Sequence, residues 1–439
     1  MTPDIDDTHR PDLRSWVESA NPATADFPIQ NLPFGCFRVA DGGARPGVAI
    51  GDQIVDLCVA RTVLDLEQPL QRAIDTCEAR GALNPLLALG RPALRSLRAA
   101  LSEALRVDGA AAARARAVDA LLVPMRGAEL VLPTQVGDYT DFYASIHHAS
   151  NVGSMFRPDN ALLPNYKWVP IGYHGRASSV VPSGTPVRRP HGQTRDDPSL
   201  PPAFGPSRRL DYELEIGAIV AEGNAIGTRI PLASAEAHVA GLCLVNDWSA
   251  RDIQTWEYQP LGPFLAKSFA TTMSPWLVTL DALAPFRGPT PARDVDDPAP
   301  LPYLDDRDDR AHGAFDIALE VLLTTRRMRE EDVEPWRVSV GSFVTMYWSI
   351  AQLVAHHTSN GCNLQPGDLL ASGTVSGPTK ESRGCLLERT WRGTEPLTLP
   401  TGESRRFLED GDEVIMRAWC ERAGRRRIGF GECRGIVSG

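Results

Sequence analysis

Eight cysteines occur singly, at positions 36, 58, 77, 243, 362, 385, 420 and 433, and none forms a Cys-x-x-Cys pair. Without that spacing there is no zinc ribbon or dithiol motif, and the thiols read as reduced groups in or near a core. Long apolar runs are also missing: none approaches the roughly 20 residues that span a bilayer. The opening, MTPDIDDTHRPDLRSW, is polar and holds no signal-peptide core. A cytoplasmic chain with no membrane partner is therefore expected. Positive charge is in deficit, 45 Lys and Arg against 55 Asp and Glu for a formal charge of −10, which argues against a nucleic-acid partner. The one basic run, Arg425-Arg426-Arg427, reads as a solvated turn. With 43% hydrophobic and 23% charged residues and no low-complexity tract, the composition is that of a soluble globular chain. Its 439 residues exceed one small core and imply two domains, or one large domain with an appended module.

The texture along the chain is mostly β. NLPFGCFRV through GVAIGDQIVDL reads as short strands joined by Gly and Asp turns. From about Thr62 to Met125, PALRSLRAALSEAL and AAARARAVDALL carry Leu, Ala and Arg at helical spacing. A boundary falls near residue 130, and the remainder alternates β-branched runs with Gly and Pro turns. The helical patch is expected to join two β modules. Two stretches, 190–209 and 288–313, read as loops or insertions from their Pro and Asp content. LQPGDLLASGT and LEDGDEVIMRAW each read as a Gly-Asp turn followed by a strand.

Within LDYELEIGAIV the strand period of two puts Glu213 and Glu215 on one face of a half-buried strand, roughly 7 Å apart at Cα. Like charges this close repel and are costly to bury, so either the face is solvated or a hard cation holds it. In DFYASIHHASNVGSMF a helix would align Asp141, Ser145 and His148, the alternative being a dipole-favourable Asp and an ordinary histidine. The same geometry prefers His148 to its neighbour His147, rotated by about 100°. In GLCLVNDWSARDIQTWEYQPLGPF, Asp247 ends an apolar strand and is either an N-cap or a metal ligand. Arg251, Gln254 and Tyr258 would share the face of the helix that follows. Lys267 sits in an otherwise apolar run. ASGTVSG, residues 371–377, is small enough to bring backbone N–H groups to an anion or simply to bend a strand. Asp141, Glu213, Glu215 and Asp247 together offer oxygen only, a set suited to Ca²⁺ or Mg²⁺ rather than zinc.

DFPIQNLPFGCF, GDYTDFYASIHHASNVGSMFR, LLPNYKWVPIGYHGRASSVVPSGTPVRRPHGQ, RLDYELEIG, NDWSARDIQTWEYQPLGPFLAKSF and ASGTVSG resemble the signatures of the fumarylacetoacetase family, in that family's order, from about residue 15 to the C-terminus. The resemblance implies a mostly β (α+β) protein with a small N-terminal SH3-like β-barrel and helical linker over 1–130. A larger β-rich catalytic domain would span 131–439. It further implies a cytoplasmic homodimer that hydrolyses 4-fumarylacetoacetate, a β-diketo dicarboxylate, to fumarate and acetoacetate at the end of tyrosine and phenylalanine catabolism. By the same resemblance Asp141, Glu213, Glu215 and Asp247 match Ca²⁺ ligands. Asp247, Lys267 (through its carbonyl) and Thr271 match a Mg²⁺ position. His148 matches the general base and Glu388 its orienting carboxylate. Arg251, Gln254 and Lys267 match the group that polarises the reacting carbonyl. Tyr143, Arg157, Tyr173, Gln254, Tyr258 and Thr374 match substrate contacts. A relative acting on an acylpyruvate, or a metal-stabilised protein that only binds a dicarboxylate, would share part of this set.

Overall fold

The computed structural model describes residues 4–40 and 42–439. The first β segments pair as the turns between them predict: Phe34–Arg38, Arg45–Ile50 and Gln53–Asp56 form an antiparallel meander. Leu122–Pro124 and Glu129–Val131 add the two edges, giving five antiparallel strands. The edges do not pair with each other, so the expected barrel takes the form of a curled half-barrel sheet.

Helices Gln68–Arg80 and Gly90–Leu105 bear out the helical spacing of that region. Leu94, Leu97, Leu101 and Leu105 form the buried stripe of the second. Two expectations are corrected here. AAARARAVDALL is α-helical only over Ala112–Arg116, takes a 3-10 turn at Asp119–Leu121, and ends in the Leu122–Pro124 edge, where ladder pairing outweighs local helix preference. The helices also do not link two β modules; they occupy the connection between the third and fourth strands of one sheet.

Besides four two-stranded sheets, two further large sheets carry most of the rest among the described residues. One has eight strands, with Leu214–Val220 and Val239–Asp247 at its centre. Tyr139–Phe142 and Leu369–Ala371 lie on one side of that pair and Thr271–Met273 on the other. The second sheet has five strands, among them Ala318–Thr324, Glu413–Cys420 and Ile428–Ser438. One apolar core joins Leu214, Ile216, Ala218 and Val220 to Leu319, Val321, Val414 and Met416 across the two sheets. On the opposite face Ile219, Cys243 and Val245 belong to the core shared with the N-terminal helices. The Leu214–Val220 strand is thus buried along its whole length, not on one side as its alternation suggests. That alternation sorts two interiors rather than inside from outside.

The stretch 190–209 is not a bare loop but holds the hairpin His191–Thr194 with Ala203–Pro206. The stretch 288–313 holds a 3-10 turn, Pro302–Leu304, and a helix, Arg307–His312. Both Gly-Asp turns lead into strands as expected, Leu369–Ala371 and Glu413–Cys420. The basic run is not a free turn: Arg426 and Arg427 donate to backbone carbonyls of Asn21, Pro22 and Thr24. All eight cysteines are free thiols, seven of them buried. No helix among the described residues is long and apolar enough to cross a membrane.

Within ASGTVSG, Gly373 has φ +76°, and a Cβ there would run into the Phe142 carbonyl oxygen. Close backbone approach, not a strand bend alone, explains the small residue. Gly373→Ala should cost about 1–3 kcal/mol in denaturant unfolding, from the left-handed backbone and the contact together.

Candidate active site

Register brings the acidic residues together. Asp141 lies opposite Ala371 on one side and Tyr173 on the other. Glu215 stands across from Val245, and Asp247, two residues further on, lies opposite Thr271. Carboxylate oxygens of Asp141, Glu213, Glu215 and Asp247 all fall within 4.8 Å of one another, and all four residues are buried. Asp141 reaches this cluster from a strand, Tyr139–Phe142, and not from the helix that its spacing with His148 suggests. The helix begins at Ile146, with Ser145 as N-cap accepting from the His148 N–H at 3.3 Å. Asp247 is no N-cap either. It accepts from Tyr173 Oη at 3.0 Å, Lys267 Nζ at 2.6 Å and Thr271 Oγ1 at 2.9 Å.

Charge in this cluster is only partly met. Lys267 bridges Glu213 and Asp247, and Arg251 binds Glu213 at 2.8 Å while also holding Asp211 at 2.9 Å. Among the described residues no donor reaches Asp141 Oδ1 or either oxygen of Glu215. Burial, then mutual repulsion, pushes the carboxyls of Asp141 and Glu215 well above their ordinary range. Glu213, equally buried, is pulled below its range by Lys267 and Arg251. Orphaned, oxygen-only and under-compensated, the cluster fits a hard divalent cation, which would meet the bare oxygens of Asp141 and Glu215.

Beside it, His148 Nδ1 lies 2.6 Å from Glu388 Oε2, both side chains buried. Glu388 also accepts from Asn151 Nδ2 at 2.7 Å, Ser376 Oγ at 2.8 Å and Cys385 Sγ at 3.2 Å. Burial opposes its charge, but His148 and these donors hold it below the usual carboxylate range. A carboxylate at that distance assigns the imidazole proton to Nδ1 and leaves Nε2 as the basic nitrogen. His147, one residue away, makes no such pair; burial lowers its pKa.

A cavity of about 490 Å³ opens over these groups. Asp141, Glu213, His148, Arg251, Gln254 and Lys267 line it, as do Tyr143, Arg157, Tyr173, Tyr258 and Thr374. Of the residues singled out in the sequence, Glu215, Asp247, Thr271 and Glu388 stand behind the wall. Arg251 and Gln254 share one side of the Arg251–Glu257 helix and touch at 3.3 Å, with Tyr258 as its C-cap. Arg251 Nη2 and Thr374 Oγ1 are buried donors without partners among the described residues. Arg157 is on the rim, donating to the Ala161 carbonyl at 3.1 Å.

Sequence reasoning missed Asp211, which accepts from the Leu386 and Leu387 N–H groups and fixes Arg251. It also missed Asn151 and Ser376. Their signals were available: Asp211 opens the acidic alternation, Asn151 falls one helical turn after His148, and Ser376 belongs to ASGTVSG.

Glu215→Gln should weaken divalent-cation binding at least about tenfold by calorimetry, since one charged ligand is neutralised. Glu388 has a depressed pKa, so its stabilisation is present above the unfolded value of about 4.3 and is lost as pH falls through the folded one. Denaturant unfolding from pH 6 to pH 3 should therefore show a shallower acid loss in Glu388→Gln than in the unmodified chain.

Residues 138–438 match the family model described as fumarylacetoacetate (FAA) hydrolase C-terminal, and 30–133 match that of the fumarylacetoacetase N-terminal region. The fumarylacetoacetase of Bos taurus is 49% identical over 422 residues, covering 94% of this chain and 96% of that protein. Its counterpart in Homo sapiens is 48% identical over 419 residues, covering 94% and 96%. That of Oryza sativa subsp. japonica is 48% identical over 434 residues, covering 98% of each. Two family models in tandem and near-full-length identity of this size leave one assignment: the chain belongs to the fumarylacetoacetase family.

Proposed function

We infer that this chain hydrolyses the carbon–carbon bond of 4-fumarylacetoacetate to yield fumarate and acetoacetate, the closing step of tyrosine and phenylalanine catabolism. The observation that carries the reading is the buried His148–Glu388 pair facing a cavity beside four converging carboxylates. A protein that only binds a dicarboxylate has no use for an imidazole locked in one tautomer.

His148 Nε2 takes a proton from water as the water oxygen bonds to the fumaroyl carbonyl carbon. The carbon–carbon bond then breaks, its electron pair leaves with the acetoacetate carbon as an enolate, and that carbon takes up a proton. General-base help of this kind contributes about 10²–10⁴ in rate. Glu388 stays charged and stabilises the imidazolium that forms. Arg251 Nη2 and Thr374 Oγ1, the free donors, are suited to the oxygen on which negative charge develops. Gln254 and Lys267 line the same cavity. Arg157, Tyr143 and Tyr258 suit the substrate's two carboxylates, because guanidinium binds them bidentately and phenols donate to them, while Tyr173, whose hydroxyl goes to Asp247, lines the same pocket. Asp141, Glu213, Glu215 and Asp247 would hold a hard cation, Ca²⁺, which would supply Lewis-acid polarisation of the diketone when bound. Asp247, Thr271 and the Lys267 carbonyl would hold Mg²⁺.

A homodimer fits the exposed apolar side chains that follow the Arg251–Glu257 helix, Leu261 at 96% and Phe264 at 69% exposure, which a second copy would cover. The cytoplasm is the compartment that matches eight free thiols. An acylpyruvate-cleaving relative needs no Tyr143, Arg157 and Tyr173 set, so those residues favour the larger dicarboxylate.

Loss of the diketone absorbance of fumarylacetoacetate tests the reading directly; turnover of acylpyruvates in preference to it would refute the substrate. His148→Ala should lower kcat by about 10²-fold or more with metal content unchanged. Exhaustive chelation should abolish turnover, and re-addition of Ca²⁺ should restore it.

A further inference from the structure

The acidic, Pro-rich stretch 288–313 has no place in the chemistry, yet two of its side chains reach the wall of the cavity from behind. Asp297, only 2% exposed at its side chain, forms an ion pair with Lys167 and accepts from Tyr347 Oη at 3.1 Å. Arg293 lies over the Tyr347 ring at 4.5 Å and the Trp348 ring at 4.7 Å. Its Nη1 donates to the Lys167 carbonyl at 3.0 Å. The insertion thus grips two separate segments, the one around Lys167 and the one around Tyr347.

Both segments lead to the site. Tyr166, next to Lys167, lines the cavity and donates its hydroxyl to the Tyr143 carbonyl at 2.9 Å. The Tyr347 N–H donates to the Ala144 carbonyl at 3.0 Å. Rings carry the same contact: Tyr347 to Tyr166 at 6.0 Å, Tyr166 to Tyr143 at 6.0 Å, and Tyr143 to His148 at 5.2 Å. The turn 143–145, between the Asp141 strand and the His148 helix, is therefore held through partners that the insertion clamps.

We propose that 288–313 is a brace for the substrate cavity, in which Asp297 and Arg293 act as positioning residues that fix the 161–168 wall and Tyr143 through Lys167, Tyr166 and Tyr347. The His148 ring is pinned independently, by Glu388. Loosening the brace consequently degrades substrate fit and leaves the base in place. The Lys167 side chain is 32% exposed, so loss of the pair leaves its ammonium to water and the effect stays local.

Asp297→Ala, Lys167→Met and Lys167→Arg are made in the full chain. Hydrogen exchange is followed over 143–148 and 161–169, with the N-terminal sheet as the internal reference for a folded protein. In Asp297→Ala and Lys167→Met, exchange in those two segments should quicken at least about fivefold while the reference is unchanged. Resting on the fumarylacetoacetate reading, KM for that substrate should rise about three- to tenfold with kcat within about threefold. Lys167→Arg, which keeps the ion pair, should match the unmodified chain in both. Unchanged exchange in the two segments overturns the brace, as does quickened exchange with KM unmoved, or a loss confined to kcat. If the unmodified chain fails to turn over fumarylacetoacetate while the exchange response appears, the substrate reading falls and the brace stands.

Discussion

An excess of buried negative charge governs this molecule. Four carboxylates meet inside the protein with one ammonium between two of them and one guanidinium shared with a fifth carboxylate, Asp211. Such an arrangement is costly without a counter-ion, and nearly every local feature can be read as a response to it. Arg251 is locked by Asp211, and Asp211 by two backbone N–H groups, so the guanidinium cannot swing further toward Asp141 or Glu215. Thr271 and Tyr173 hydroxyls and the Lys267 ammonium all go to Asp247. What remains bare is the pair that a cation would complete.

The base is organised on the opposite principle. Glu388 is as deeply buried as its acidic neighbours, yet it is saturated with donors, so its charge is stable without any ion. One site therefore contains two kinds of buried carboxylate, one kind left wanting a metal and the other satisfied by protein. That division separates binding of a cation from activation of water, and it lets each be lost without the other.

Much of this was legible in the chain. Carboxylates at a strand period inside an apolar segment gave a signal at Glu213 and Glu215 that left a solvated face and a cation site both open, and burial of the strand on both faces decides between them. Lys267 in an apolar run carried another. Elements were less legible where two periods fit the same residues: Asp141 and His148 share a helical spacing, but a strand, a turn and a helix deliver them to the same place. AAARARAVDALL has helix-forming residues, and the sheet edge still claims its end. Contacts of long sequence separation left no local trace. Asp211 to Leu386, and Asp297 to Lys167, follow from topology, which no window of residues contains.

The closing strand has a consequence for how the polypeptide is made. Ile428–Ser438 lies between Glu413–Cys420 and Val187–Arg188, inside the second sheet rather than at its margin. The Gly429 N–H meets the Asp26 carbonyl, and Asn31 donates to the Gly429 carbonyl. Segments 398 residues apart in sequence thus interlock. A nascent chain leaves this seam open until residues 428–438 have emerged from the ribosome, with the inner edge of Glu413–Cys420 unpaired, so the interval before they emerge exposes the polypeptide to wrong pairing.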